Sequence, residues 1–155
     1  CVMPYYWNDP EHTAKAIDEA HWIASGDVAT IDAEGYCQIV GRIKDMLIRG
    51  GENIFPWEIE EYLYQHPDME QVEVIGVPDE KYGEQVCAWV KVREGSSPTA
   101  EDIRAFCEGK IAHFKIPEYV KFVDEFPMTV TGKVQKYIMR EKMVDELENR
   151  QEKPE

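Results

Sequence analysis

The chain has 155 residues, enough for one ordinary domain or for one domain with a fragment of another. Apolar residues make up 43% and aromatics 11%, which supports a packed core and excludes wholesale disorder. Lys and Arg number 17 against 31 Asp and Glu, and the resulting −14 argues against a nucleic-acid or anionic-membrane surface. A small anionic ligand stays possible, because it needs only a local cluster of cations.

No run of about 18 apolar residues exists, so no transmembrane segment is expected, and no secretory signal pattern is visible. The chain opens at Cys1, already in patterned sequence, and reads as a piece of something longer. The four cysteines, Cys1, Cys37, Cys87 and Cys107, form no C-x-x-C pair. A reducing compartment is expected, the cytoplasm or one such as the mitochondrial matrix. His12, His21, His66 and His113 are scattered without metal-ligand spacing, so no metal site is expected.

In chain order, Asn8-Asp9-Pro10 marks a turn and residues 11–20 a short helix. Residues 28–31 and 36–40 are β-type runs around Asp32-Ala33-Glu34-Gly35, which predicts a hairpin. Its outgoing strand delivers the chain to Gly41-Arg42. Met46-Leu47-Ile48 reads as a short strand, Gly50-Gly51 as a turn, and Pro56 opens a helix over 56–65 with Ile59, Tyr62 and Leu63 on one face. Val72, Val74 and Ile75 mark a strand that ends in a turn at Pro78-Asp79, and residues 86–92 a longer one. Thr99 is placed to cap a helix, with an acid at Asp102 and with Ile103, Phe106 and Ile111 at core spacing. Phe122-Val123 reads as a short strand. A final helix from about Val134 carries Ile138, Met143 and Leu147, and 151–155 is a polar tail.

Helices and strands thus alternate from residue 45 onward, predicting a compact α+β domain with a small mixed sheet. Residues 1–43 are hairpin and aromatic-rich loop without a core of their own. The expected division is 1–43, the end of a larger domain, and 44–150, a separate domain, with the boundary at Lys44-Asp45.

Three stretches could carry chemistry. In Trp22-Ile23-Ala24-Ser25-Gly26-Asp27, an acid after a glycine turn can accept hydrogen bonds from vicinal hydroxyls; alone, it is equally a plain turn Asp. In Gly41–Glu60, Arg42 offers a planar fork for ribose hydroxyls or phosphate, and Gly50-Gly51 lets the backbone approach a thin ligand. In the stretch from Pro127 to Lys136, a glycine turn presents Lys133 shortly before a helix. This is no Walker loop, since Val134 follows the lysine and Pro127 stands where that loop's first glycine should be. Alone, it is a solvated turn.

In this order and spacing, however, W-x-x-S-G-D, G-R-x-K-D…G-G-E-N-I-x-P-x-E-I-E and P-x-T-x-x-G-K-x-x-x-x-x-x-R resemble the C-terminal part of adenylate-forming enzymes. That superfamily contains acyl- and aryl-CoA synthetases, luciferase and the adenylation domains of peptide synthetases. Val77-Pro78-Asp79 with Gly83-Glu84, and His113-Phe114-Lys115-Ile116-Pro117, extend the resemblance from Tyr6 to Arg140. Its wording is most similar to fatty-acyl-CoA synthetases of medium- or long-chain type.

The resemblance implies a ligase that joins a fatty-acid carboxylate to coenzyme A through an acyl-adenylate, consuming ATP and releasing AMP and pyrophosphate. It implies that Lys133 is the catalytic lysine of adenylation, bridging carboxylate and α-phosphate. Asp27 and Arg42 would bind ATP or AMP at the ribose and phosphate. Lys44 and Asp45 would form a hinge about which the small domain alternates between half-reactions. Gly50 and Gly51 would line the CoA path, with Phe114 and Lys115 touching the CoA nucleotide. Mg2+ would arrive with ATP and be held in the missing N-terminal domain, so the fragment alone should be inactive. Two alternatives remain: an adenylating enzyme with a carrier protein as acceptor, and a non-catalytic binding module that keeps the fold.

Overall fold

The computed structural model describes residues 2–151; beyond Gln151, the expected polar tail lies outside the described residues. The chain divides into two compact units, Cys1–Lys44 and Asp45–Glu155.

In the first unit, α1 (Pro10–Ala16) begins where Asp9 accepts the His12 N–H and Pro10 pre-sets the backbone. It stops four residues short of the expected end. Asp18 Oδ1 accepts the N–H groups of Ala20 and Trp22, both at 2.9 Å, offering the backbone a turn in place of a helix. The predicted hairpin is present as β1 (Asp27–Ile31) and β2 (Cys37–Arg42), antiparallel. Asp32 Oδ1 accepts from Glu34 and Tyr36 N–H, and Gly35 at φ +90° closes the turn. Among this unit's described residues Ile17 is the one buried apolar side chain, while Trp7 is 87% and Trp22 77% exposed.

The second unit holds a five-stranded mixed sheet. Its strands are β3 (Leu47–Arg49), β4 (Glu52–Ile54), β5 (Met69–Asp79), β6 (Gly83–Val92) and β7 (Tyr119–Phe122). The order is β4-β3-β6-β5, with β7 also on β6. β6 pairs antiparallel with β5 along its length. Its other edge is shared, β3 meeting it only at Arg49–Gly83 and β7 running parallel from Cys87 to Val90.

Alternation sorts the two central strands between two cores. Val72, Val74, Val86, Ala88 and Val90 pack with Ile59 and Leu63 of α2 (Pro56–Leu63) and with Ile103 and Cys107 of α3 (Ala100–Cys107). Ile75, Val77, Cys87 and Trp89 pack with Phe126 and with Met139 and Met143 of α4 (Lys136–Gln151). Ile59 and Leu63 are both fully buried. Each gains about 1.5–3 kcal/mol on leaving water, and an isolated helix of this length would not hold without such packing. The α+β architecture matches the expectation.

Some details differ. β4 was not expected, because Glu52-Asn53-Ile54 lacks a β-type pattern and is a strand only through pairing with β3. β5 continues through Pro78 and Asp79, and the turn follows where Asp79 Oδ1 accepts from Lys81 and Tyr82. α2 ends at Leu63 rather than residue 65. α3 ends before Ile111, which still packs on the first core. Phe122 ends β7, and Val123 lies just beyond it. α4 begins at Lys136 and buries Met139 in preference to Ile138, because the 139–143–147 stripe faces the sheet.

Candidate functional site

The stretch before α4 is a small closed hairpin. Met128 and Val134 form an antiparallel bridge, and Gln135 N–H donates to Pro127 O at 2.8 Å. Inside it Thr129 N–H donates to Lys133 O at 2.8 Å, Gly132 N–H to Thr129 O at 2.9 Å, and Lys133 N–H to Thr129 Oγ1 at 3.0 Å. Gly132 sits at φ +80°, where a side chain would be strained. Lys133 is exposed, and its ammonium has no bond partner among the described residues. The geometry therefore holds the backbone of Lys133 and leaves its charge open to an anionic ligand.

Sequence reasoning passed over the residue three positions on. Lys136, the first of α4, turns into the fold and donates to Glu60 Oε1 at 2.6 Å and Val74 O at 3.2 Å, with Glu73 Oε2 at 3.3 Å. Burial acts to lower the Lys136 pKa, but the carboxylates of Glu60 and Glu73 outweigh it and the net direction is up. Glu73 is also raised, chiefly by burial. One signal was available: a cation in the first turn opposes the helix dipole, so a lysine there needs partners elsewhere.

The glycine turn is a two-residue connection between β3 and β4, with Gly50 at φ +59° and Gly51 at φ +90°. Both are left-handed, as the primed hairpin turn requires. Gly50 N–H donates to Tyr82 O at 2.8 Å. Since β3 has only one ladder position on β6, side chains do the holding. Ile48 N–H donates to Glu84 Oε2 at 2.7 Å, and Arg49 Nε to Gln85 Oε1 at 2.6 Å. Arg49 also lies 4.4 Å over the Tyr82 ring. Glu84 Oε1 in turn accepts from Arg140 on α4 at 2.7 Å.

Phe114 and Lys115 lie on a short 3-10 turn, His113–Lys115. Phe114 packs partly buried against the first core, and the Lys115 ammonium pairs with Glu58. A cleft of about 390 Å³ beside them is lined by Glu58, Tyr62, Gln65, Lys110 and Lys115, among others.

In the first unit the structure brings two expected residues together. Asp27 and Arg42 are cross-strand partners at the mouth of the hairpin, with Arg42 Nε 3.0 Å from Asp27 Oδ1. An acid and a planar cation side by side can serve hydroxyl and phosphate oxygens of one ligand. Lys44 is exposed and Asp45 half-buried on a 3-10 turn, Ile43–Asp45, and the units divide between them.

Residues 58–133 match the family model of the AMP-binding enzyme C-terminal domain, a match that ends on Lys133 itself. The chain is 51% identical over 147 residues to the mitochondrial medium-chain acyl-CoA ligase ACSF2 of Bos taurus. It is 54% identical over 144 residues to the putative acyl-CoA synthetase YngI of Bacillus subtilis (strain 168). Residues 58–133 belong to the AMP-binding enzyme C-terminal domain family.

Those two comparisons cover 95% and 93% of the chain but 24% and 26% of the relatives, so it spans about a quarter of their length. Among solved structures, ATP-bound MatB from Rhodopseudomonas palustris is similar, with a TM-score of 0.87 at 37% identity over 92% of the chain and 28% of MatB. Among the described residues no helix is long and apolar enough to cross a membrane.

Proposed function

We propose that the chain is the C-terminal part of an ATP-dependent fatty-acid–CoA ligase, and that its activity requires a large domain joined before residue 1. In the first step a carboxylate oxygen attacks the α-phosphorus of ATP, the bond to pyrophosphate breaks, and an acyl-adenylate forms. In the second the CoA sulfur attacks the acyl carbon, the carbon–oxygen bond to AMP breaks, and the thiol proton passes to solvent. Mg2+ would travel with ATP and be held by the large domain.

The observation that carries this reading is the exposed ammonium of Lys133, unpaired among the described residues, on a closed hairpin where the family match ends. A cation carried on a held backbone can reach negative charge as it develops and stabilise the transition state. Asp27 and Arg42 would hold the adenylate's ribose and phosphate. Gly50 and Gly51 would border the CoA thiol's path, and Phe114 and Lys115 would contact its nucleotide. Lys44 and Asp45 would be the hinge that exchanges the two faces. The exposed aromatics of residues 2–44 support the view that this unit packs on the large domain. The relatives named ACSF2 are mitochondrial, which agrees with a reducing compartment, the mitochondrial matrix or the cytoplasm.

The test is fatty-acid-dependent ATP–pyrophosphate exchange on the full-length protein. Lys133→Ala should lower it about 10²–10³-fold, with thioester formation from supplied acyl-AMP largely kept. Equal loss of both steps would sink the role given to Lys133. Thioester absent with free CoA but formed on a carrier protein would change the acceptor.

A further inference from the structure

The Lys133 hairpin has no slack on its C-terminal side. Val134 is in the bridge to Met128, Gln135 is bonded to Pro127 O, and Gln135 O already accepts the first α4 bonds from Ile138 and Met139 N–H. The next residue is Lys136, whose ammonium is held by α2 through Glu60 and by β5 through Glu73 and the Val74 carbonyl. Glu60 Oε1 also accepts the Val74 N–H at 2.8 Å, so one carboxylate oxygen joins the β5 backbone to the lysine. Three residues of chain span at most about 10–11 Å. A clamp at residue 136 therefore bounds where residue 133 can be.

The same cluster has a plainer use. Among the described residues β5 is an edge strand paired with β6 alone, and Glu60 and Lys136 satisfy the free backbone groups of Val74. Edge capping would not need a cation at the first position of α4, where the helix dipole opposes it. Nor would it need the cation so close after an open lysine. Removing Lys136 would leave Glu60 and Glu73 facing each other and the Val74 carbonyl bare, so the site depends on charge as well as size.

We propose that Lys136 is a positioning residue for adenylation: clamped by Glu60, Glu73 and the Val74 carbonyl, it fixes the base of the Lys133 hairpin and so the reach of the Lys133 ammonium. The proposal rests on the ligase reading above. Lys136 touches no substrate and acts only through Lys133.

The experiment compares wild type, Lys136→Met, Lys136→Arg and Glu60→Gln in the full-length protein. It measures ATP–pyrophosphate exchange, thioester formation from supplied acyl-AMP, and amide hydrogen exchange over residues 127–135. A displacement of about 1 Å at a reacting group costs about 10²-fold. Lys136→Met should lower the exchange kcat by about that factor with the KM for ATP little changed. Thioester formation should stay within about threefold of wild type, and amide exchange over 127–135 should rise about tenfold or more. Lys136→Arg should recover most of the loss, because a guanidinium can reach both carboxylates. Should Lys136→Met not fold, Glu60→Gln keeps an acceptor for Val74 and removes one charge, and a smaller loss confined to adenylation is expected. Parallel loss in both half-reactions, or unchanged amide exchange over 127–135, would overturn the clamp. Absence of pyrophosphate exchange in the wild type with every carboxylate overturns the ligase reading instead, and the amide-exchange comparison still decides on the clamp.

Discussion

Gly76 sits in mid-β5 opposite Val86, with no left-handed backbone to explain the glycine. A methyl group there would lie 2.5 Å from Leu47 Cδ2 and 2.9 Å from Glu84 Oε1. Leu47 is 3% exposed, so any new rotamer must be fitted inside the packed core. Glu84 is held by Ile48 N–H and Arg140, so moving it loosens β3 as well. Gly76→Ala is therefore an overpacking substitution, which costs about 1–3 kcal/mol. The loss of freedom in the unfolded chain offsets about 0.4–1 kcal/mol of that. From the middle of both ranges, the expected net destabilisation is about 1.3 kcal/mol, or a Tm lower by about 5–10 °C for a unit of this size. Urea and thermal unfolding of the chain measure it, and a double-mutant cycle with Leu47→Ala assigns the cause. If the clash with Leu47 dominates, Gly76→Ala should cost at least about 1 kcal/mol less where Leu47 is already truncated. A Gly76→Ala protein within about 0.5 kcal/mol of wild type, or the same cost in both backgrounds, would refute the reasoning.

Two further outcomes can be checked on the same chain. Burial pushes the Cys87 thiol up to about 12 and the Cys107 thiol up to about 11, whereas Cys37 is exposed. At about pH 8 an alkylating reagent should label Cys37 in the native protein and reach Cys87 and Cys107 only after denaturation, read by intact and peptide mass; native labelling of either would contradict the packing around them. Asp102 is held below the usual carboxylate range by the Thr99 backbone N–H and hydroxyl of the capping box. A depressed carboxyl stabilises the fold above its unfolded pKa and loses that contribution as pH falls through the folded value. The stability gap between wild type and Asp102→Ala should thus be present at neutral pH and shrink below about pH 4, as followed by urea unfolding across pH. A gap independent of pH would remove the charge from the explanation.

The features visible in the sequence were those set by a few neighbouring residues. Asp32 and Gly35 dictate the first hairpin, Thr99 and Asp102 start α3, and paired glycines at 50 and 51 demand a tight turn, because each rule acts within four or five positions. The resemblance found Lys133 the same way, as a word at fixed spacing. Partners from far along the chain decided the rest. β4 is a strand only because β3 lies beside it, and β7 is parallel to β6 only because α3 carries the chain back across the sheet. Asp27 and Arg42 became one cross-strand pair through hairpin register. Lys136 drew no reading of its own, because its partners Glu60 and Glu73 lie more than sixty residues away. Periodicity reports which face of an element is apolar, but only packing brings a charge on one element to the carboxylates of another, and the burial that follows sets its chemistry.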